Sequence, residues 1–544
     1  MSCRVEEMEV QQQQKFANDY ISNYTQVESF FHYSPYDPLT YSTRLEELQR
    51  RSFARNEVSE IIRATMVKWG ISPKAEEHLN QLKQSDSVVV VGGQQAGLLL
   101  GPLYTIHKMI TILQLSQQKR AELGIPVIPI FWIAGEDHDF DEINHILLKR
   151  VEGKGVEKYA FTPPEGNNKQ SISLLSFPKQ EVLNWTREAF TKLSETEFTK
   201  GLWDVTEQAI LSSESYSDFF TQLANTLFAD YGLLFIDSAD PQLRKLESNV
   251  FCTILQQYDM IHEKVMNTTE NLSDKGYDPQ VQLGQNASLL FLIQDGERKL
   301  LEKINNNQFR TKDGQYTYSL EELLHLAETS PERFSNNVLT RPFMQETVLP
   351  TLAFVGGPGE ITYWGQLSGY FEELGMKLPP IVPRISMTLI EQPISKLLSK
   401  YQITLLDIMS GMDQIRGQWL EKQTKLNFEQ LFTVAKEDIA TAHSELFEKL
   451  KDIPGIEQLQ STNLERILNE VSFIEKQSLV SLEQQHAASL RQFDKLEYAL
   501  YPEQKLQERI HNSIYVLNKH GQALIKELMQ QKFEINGKHK LVLI

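Results

Sequence analysis

Apolar residues follow three different periods along this chain, and the changes of period mark its organisation. Over the first 85 or so residues, Leu45, Leu48, Val58, Ile61 and Ile62 recur at helical spacing with charge between them, which predicts a mostly helical opening. Phe30-Phe31-His32-Tyr33 and Pro35-Tyr36-Asp37-Pro38 break that pattern and read as an extended arm, either docked or substrate-contacting. At residue 87 the pattern changes to continuous runs. Val88-Val89-Val90-Val91 suits a buried strand of a parallel sheet; residues 126–133 (Pro-Val-Ile-Pro-Ile-Phe-Trp-Ile) and residues 232–236 are further strand candidates, and the α/β pattern returns at Leu352-Ala353-Phe354-Val355. A helical pattern over 103–120 joins the first two as a βαβ unit. Asp240-Pro241 starts a later helix with Asp240 as its cap. A β excursion is predicted over 146–178, a small β subregion over 276–318, and a helix over 361–374.

The last third is charged and glutamine-rich. Leu464, Leu468, Val471, Leu479, Leu482, Leu490, Phe493 and Leu496 lie mostly three, four, seven or eight apart. That stripe predicts an antiparallel helical hairpin or coiled coil, with Pro454-Gly455 as the turn. The resulting division has a helical region packed on the core over 1–86 and the first part of an α/β core over 87–145. Residues 146–340 continue the core with connecting α+β insertions, and 341–414 supply its second part. A helical coiled-coil domain spans 415–510, and residues 511–544 form a segment that docks back on the core.

Composition narrows the function classes. With 544 residues, 41% hydrophobic and 23% charged, the chain is long enough to bury several cores without metal or disulfide staples. The net charge of -18 argues against a broad basic face for nucleic acid, while leaving room for a small pocket for an anionic metabolite. Cys3 and Cys252 are the only cysteines, too few for a disulfide scaffold or a four-cysteine zinc site. Neither makes a persuasive nucleophile. No apolar stretch is long enough to span a bilayer, so a cytoplasmic protein without a membrane partner is expected. GxxxxGK[ST], GxGxxG and GxSxG motifs are absent, which leaves little support for NAD or flavin chemistry; haem is not expected either.

Three polar groups follow predicted strands, where open α/β sheets hold ligands. Gly92-Gly93-Gln94-Gln95-Ala96-Gly97 is the first. Its glycines permit a tight turn, or an anion received on backbone N–H groups. His107 and Lys108 follow early in the next helix and either meet a phosphate or face solvent. Glu136-Asp137-His138-Asp139, with Asp141, Glu142 and His145 close by, is the densest cluster. Its carboxylates suit magnesium, an ammonium group or helix capping, and a histidine can exchange a proton near neutral pH. His138 and His145 are seven apart and can share a helix face. Gly356-Gly357-Pro358-Gly359-Glu360 is the third group, followed by Tyr363 and Trp364. Glu360 caps the helix or faces an amine, and the aromatics serve a ligand or the core. Arg341 and Arg384 sit beside prolines; each suits a carboxylate, a phosphate or an ordinary salt bridge.

These motifs carry a resemblance. Gly92–Gly97 with Gly101-Pro102-Leu103-Tyr104-Thr105-Ile106-His107-Lys108, Trp132-Ile133-Ala134-Gly135-Glu136-Asp137-His138-Asp139, Gly356–Glu360 with Tyr363-Trp364, and Leu506-Gln507-Glu508-Arg509 resemble the BshC family, over nearly the whole chain. The resemblance implies a cysteine ligase of bacillithiol biosynthesis that joins cysteine to the amine of glucosaminyl-malate as an amide. It implies a Rossmann-like core of nucleotidyltransferase type, similar to class I aminoacyl-tRNA synthetases, with connecting segments and a coiled-coil domain that forms a homodimer. No literal HIGH box or KMSKS loop is present.

From family placement and chemical fitness together, activation by ATP or another nucleotide is expected, with Mg2+ as a candidate ion and its ligands undetermined. His107 would steady phosphoryl transfer. Gly92, Gly93, Gly97, Lys108, Gly356, Gly357 and Gly359 would hold the nucleotide. Asp137 and Asp139 would bind magnesium or the cysteine ammonium, and Glu136 or His138 would take the amine's proton. Gln94, Gln95, Arg341, Glu360, Tyr363, Trp364 and Arg384 would contact substrate, the arginines receiving malate carboxylates. The competing expectation is a non-catalytic thiol- or nucleotide-binding component that recruits another pathway enzyme.

Overall fold

The computed structural model describes residues 4–150, 155–163, 169–284, 287–424 and 427–544. Cys3 and parts of the segments expected as β structure over 146–178 and 276–318 lie outside these residues.

The apolar runs build one parallel sheet. Its strands are β1 (Val88–Gln94), β2 (Val127–Ile133), β3 (Leu234–Asp237), β4 (Thr351–Gly356) and β5 (Ile381–Pro383). Their spatial order is β5-β4-β1-β2-β3, all parallel. Every residue of β2 and β4 is buried, the reason they read as unbroken apolar runs. The crossover from β1 to β2 is α1 (Tyr104–Leu123), which ends on Gly124 in the left-handed region, φ 68°, a conformation that favours glycine. Strand order reverses beside β1. Chain growth proceeds outward to β2 and β3, then restarts on the other side with β4 and β5, leaving a crevice at the carboxyl ends of β1 and β4.

The expected cap is present: Asp240 accepts the backbone N–H groups of Gln242 and Leu243. Between β3 and β4 the chain inserts an antiparallel sheet of Ala287–Gln294, Glu297–Asn305, Gln308–Thr311, Thr317–Ser319 and the later strand Phe334–Asn336. The helix expected over 361–374 is two helices, Pro358–Gly365 and Ser368–Glu373. Between them, the Gln366 side chain pairs with both backbone groups of Val281, a tertiary contact that local pattern does not contain. The helical opening also carries a strand, Arg4–Met8, which pairs with the carboxyl-terminal strand His539–Leu543.

The helical domain is a hairpin of α2 (Phe428–Leu450) and α3 (Ile456–Gln485), turning at Pro454-Gly455. Lys436 and Glu475 at 2.6 Å, and His443 and Asn463 at 3.1 Å, link its arms. At its base Phe493, Leu496 and Leu500 pack with Ile390, Ile394, Leu405, Ile408 and Met412 in a second apolar cluster. The chain then returns to the core: Leu103 N–H donates to the His511 carbonyl, and Ser513 N–H to the Gly101 carbonyl. Among the described residues, no helix is long and apolar enough to cross a membrane.

Candidate active site

Three separated segments meet at the carboxyl edge of the sheet, through two side chains. The first is Lys108. Its helix places Nζ 2.6 Å from the Gly93 carbonyl and 3.4 Å from Gln94 Oε1, and in an ion pair with Glu360. That pair spans the crevice between β1 and β4. Burial lowers the Lys108 ammonium, against the opposing pull of the Glu360 charge. The second is Gln95, whose amide donates to Asp137 Oδ2 at 2.7 Å and to Glu142 Oε2 at 2.5 Å. The loops after β1, β2 and β4 therefore form one connected polar edge.

The glycines do a different job from the one expected. Gly92 and Gly93 lie inside β1, with no phosphate-binding loop at either position. A Cβ on Gly93 would stand 2.5 Å from the Trp132 carbonyl, and one on Gly92 would stand 2.9 Å from the Val355 carbonyl. Glycine lets β1 pack between its neighbours here. The Gly97 N–H donates to the Gln95 carbonyl at 2.9 Å. The Gly357 N–H donates to Glu360 Oε2 at 2.7 Å. Glu360 is therefore both helix cap and partner of Lys108, and its carboxylate occupies the cradle an anion would use. Gly356 closes β4 and Gly359 sits in the following helix. After Gly97, buried Leu99 and Leu100 adopt φ of 52° and 70°. Leucine enters this region at a cost, and such strain clusters at functional sites.

His107 lies behind the crevice. It is fully buried, and its Nδ1 is 2.7 Å from Glu508 Oε2. Direct contact with a phosphate is closed to it in this arrangement, because successive helical residues point about 100° apart and Lys108 takes the crevice side. Glu508 is the hub. It also accepts Arg384 Nη2 at 2.6 Å, Ser386 Oγ at 2.9 Å and the Met387 N–H at 3.1 Å. Burial alone would raise its carboxyl, but the Arg384 guanidinium and His107 hold it well below the usual range. Arg384 sits beside Gly357 and over the Tyr104 ring at 5.3 Å.

Glu136 is sealed. Its Oε2 accepts Arg244 at 2.5 Å, Ser335 Oγ at 2.9 Å and the Asn336 N–H at 2.7 Å, which ties β2 to the inserted sheet and leaves the carboxylate poorly placed to take a substrate proton. Asp137 is half-buried; burial pushes its carboxyl up, but contacts from His138 and Gln95 and the Arg298 charge hold it low. Asp139 is exposed. His138 and His145 share no helix face, because the helix spans only Phe140–Ile143 and His145 opens a strand.

Trp364 offers no platform to a ligand. It is fully buried against Phe354, with ring centroids 4.9 Å apart, since its helix packs onto the sheet. Tyr363 Oη accepts Arg341 Nη2 at 2.7 Å, and Arg341 Nη1 donates to Gln345 at 3.0 Å. Burial pushes the Tyr363 phenol up to about 12. Cys252 sits on the helix Pro241–Gln256, its thiol pushed up by burial. Among the described residues, no group of three His, Cys, Asp or Glu side chains is arranged to hold a metal ion.

Two arginines escaped the sequence reading as site residues. Arg298, from the strand Glu297–Asn305, reaches His138. Arg509, exposed and unpaired among the described residues, lies close enough to Arg384 and Glu508 to feel their charges. Its segment carried part of the family resemblance, the one signal that pointed to it.

Comparison with known proteins covers the chain end to end. Residues 3–385 match the family described as "Bacillithiol biosynthesis BshC, N-terminal Rossmann-like domain", and residues 387–544 match "Bacillithiol biosynthesis BshC, C-terminal coiled-coil domain". Relatives from Bacillus cereus and from Bacillus thuringiensis (strain Al Hakam) are each 37% identical over 540 residues, covering 99% of this chain and 99% of theirs. One from Bacillus cytotoxicus is 37% identical over 97% of this chain and 98% of its own. All three carry the name "Putative cysteine ligase BshC".

Proposed function

Because the chain belongs to the BshC family, we propose that it is a ligase that joins the carboxylate of cysteine to the amine of glucosaminyl-malate in bacillithiol biosynthesis. The observation that carries this reading is the single polar edge formed by Gly92–Gly97, Glu136–Asp139 and Gly356–Glu360 through Lys108 and Gln95. A carboxylate does not acylate an amine at neutral pH, so its oxygen must first become a leaving group. In the proposed first step a cysteine carboxylate oxygen attacks the α-phosphorus of ATP. An O–P bond forms, the α–β anhydride bond breaks, and pyrophosphate leaves. In the second, the sugar amine attacks the acyl carbon. The C–N bond forms, the C–O bond to phosphate breaks, AMP leaves, and one proton is lost from nitrogen.

Each residue's part follows from its surroundings. A phosphate in the crevice between β1 and β4 would compete with Glu360 for Lys108. Asp137, held charged, and Glu142 suit the cysteine ammonium; the same pair would serve a magnesium ion that travels with nucleotide phosphates, which needs only one or two protein carboxylates. Arg341, Arg384 and Arg509 suit the malate carboxylates. Incubation with ATP, cysteine and glucosaminyl-malate, followed by mass spectrometry, should reveal the amide product. Folded protein that yields none across varied metal conditions would count against autonomous ligation.

The homodimer rests on a separate observation. Leu446, Leu459, Phe473 and Ile474 on the hairpin are each more than half exposed, an apolar surface that a second copy would cover. Light scattering at several concentrations should return twice the mass of one chain, and a monomer throughout would remove this part of the reading.

A further inference from the structure

The inserted antiparallel sheet reaches the polar edge through Arg298. Its side chain is only 6% exposed. Nε donates to Ser335 Oγ at 2.9 Å, Nη2 donates to the Asn336 carbonyl, and Nη1 lies 2.9 Å from His138 Nδ1. The guanidinium carbon stands 3.8 Å from the Phe291 ring centroid, so the group is held on a face as well as at its nitrogens.

An arginine side chain has only donors and stays protonated at any working pH. His138 Nδ1 must therefore be the acceptor in this contact. A neutral imidazole has one ring proton, and with Nδ1 accepting, that proton resides on Nε2. The rival partner for Nδ1 is Asp137 Oδ1, which at 3.6 Å is outside hydrogen-bond reach. The Asp137 carboxylate takes the His138 backbone N–H at 2.7 Å instead. Nε2 has no partner among the described residues, and the side chain is 34% exposed.

We infer that Arg298 locks His138 in the Nε2–H form, so that His138 presents a hydrogen-bond donor, not a proton acceptor, to an anionic oxygen at the ligation centre. The donor role rests on the ligase reading; the tautomer does not. Arg298 is a positioning residue, and its sheet is thereby part of the centre. An oxygen that gains charge during acyl or phosphoryl transfer is the chemistry such a donor serves. The amine's proton leaves by a route other than His138, and the sealed Glu136 offers none.

The test is a nuclear magnetic resonance spectrum of the full chain with labelled histidine. Twelve histidines are present, and the His138 signals are those lost in His138→Gln. Ring nitrogen and carbon shifts at neutral pH, without substrate, should be those of the neutral Nε2–H ring. An Nδ1–H ring, an imidazolium or an even tautomer mixture would overturn the inference. Arg298→Lys, which still donates, should preserve the signature, and Arg298→Met should release it; if the methionine variant does not fold, the parent spectrum decides. In turnover, His138→Gln keeps a donor at the same position but accepts no proton. It should stay within about tenfold of the parent, while His138→Leu falls ~100-fold or more. Equal loss in both would sink the donor role. A parent that makes no product would count against ligation alone, leaving the spectrum to judge the tautomer.

Discussion

Val88, Val89, Val90 and Val91 in β1 are each 1% exposed or less, whereas Phe473 and Ile474 on α3 are 58% and 57% exposed. Both groups are apolar runs in regular elements. The difference is geometric. A strand in mid-sheet has two neighbours in its plane and helices over both faces, so the chain itself covers every side. A two-helix hairpin shares one face per helix, and the remaining apolar positions wait for another surface. The core is self-sufficient, and the hairpin is self-sufficient only at its base, where Phe493, Leu496 and Leu500 are fully buried.

The largest effect is expected where the core has no slack. Gly93→Val places a side chain against the Trp132 carbonyl, a backbone atom that cannot swing aside. A loss of about 3 kcal/mol or more, read by urea unfolding, is expected; a neutral result would mean that β1 and β2 are not so closely apposed. Next comes the junction where the hairpin returns to the core. Glu508→Ala leaves the buried Arg384 guanidinium without its partner, at about 3–5 kcal/mol. The same variant should also cut turnover, since Arg384 would lose its anchor. Unchanged stability would show that the junction is wetter than the structure has it.

A pH-dependent effect is expected at the end of β3. Burial raises the Asp237 carboxyl to about 6, against hydrogen bonds from Ser173 and Ala239. A carboxyl raised on folding contributes stability that is complete below its ordinary value, near 3.8, and is lost as pH rises through about 6. Relative to Asp237→Asn, the parent should lose stability across that window; parallel pH profiles would contradict the burial. The smallest effect belongs to the hairpin. Phe473→Ser with Ile474→Ser should change the stability of a single chain by no more than about 0.5 kcal/mol per site, yet reduce self-association in light scattering. A large loss of stability in dilute, monomeric protein would mean that these side chains are packed internally, and the contrast with β1 would fail.

Legibility divided along the same line. The parallel strands could be read because burial on both faces demands continuous apolar residues, and the hairpin because its seam demands a helical period. The Glu136–Asp139 cluster was visible as acid and imidazole beyond a strand. Its division of labour was not: what seals Glu136 is Arg244 and Ser335, and what orients His138 is Arg298, all supplied from other elements. His107 and Lys108 are neighbours in one helix with the same apparent promise, and only the packing of α1 decides which enters the crevice. Arg298 carries no signal of its own, being one basic residue in a charged β segment.

The amino-acid sequence alone determined the kinds of element, the α/β core with its helical hairpin, and the family resemblance, because these depend on period and local chemistry. Tertiary structure decided which polar groups meet. A hydrogen bond or buried ion pair requires atoms within about 3 Å, and that separation is set by every crossover, insertion and packed side chain between residues hundreds of positions apart, as Lys108 and Glu360 or His107 and Glu508 are.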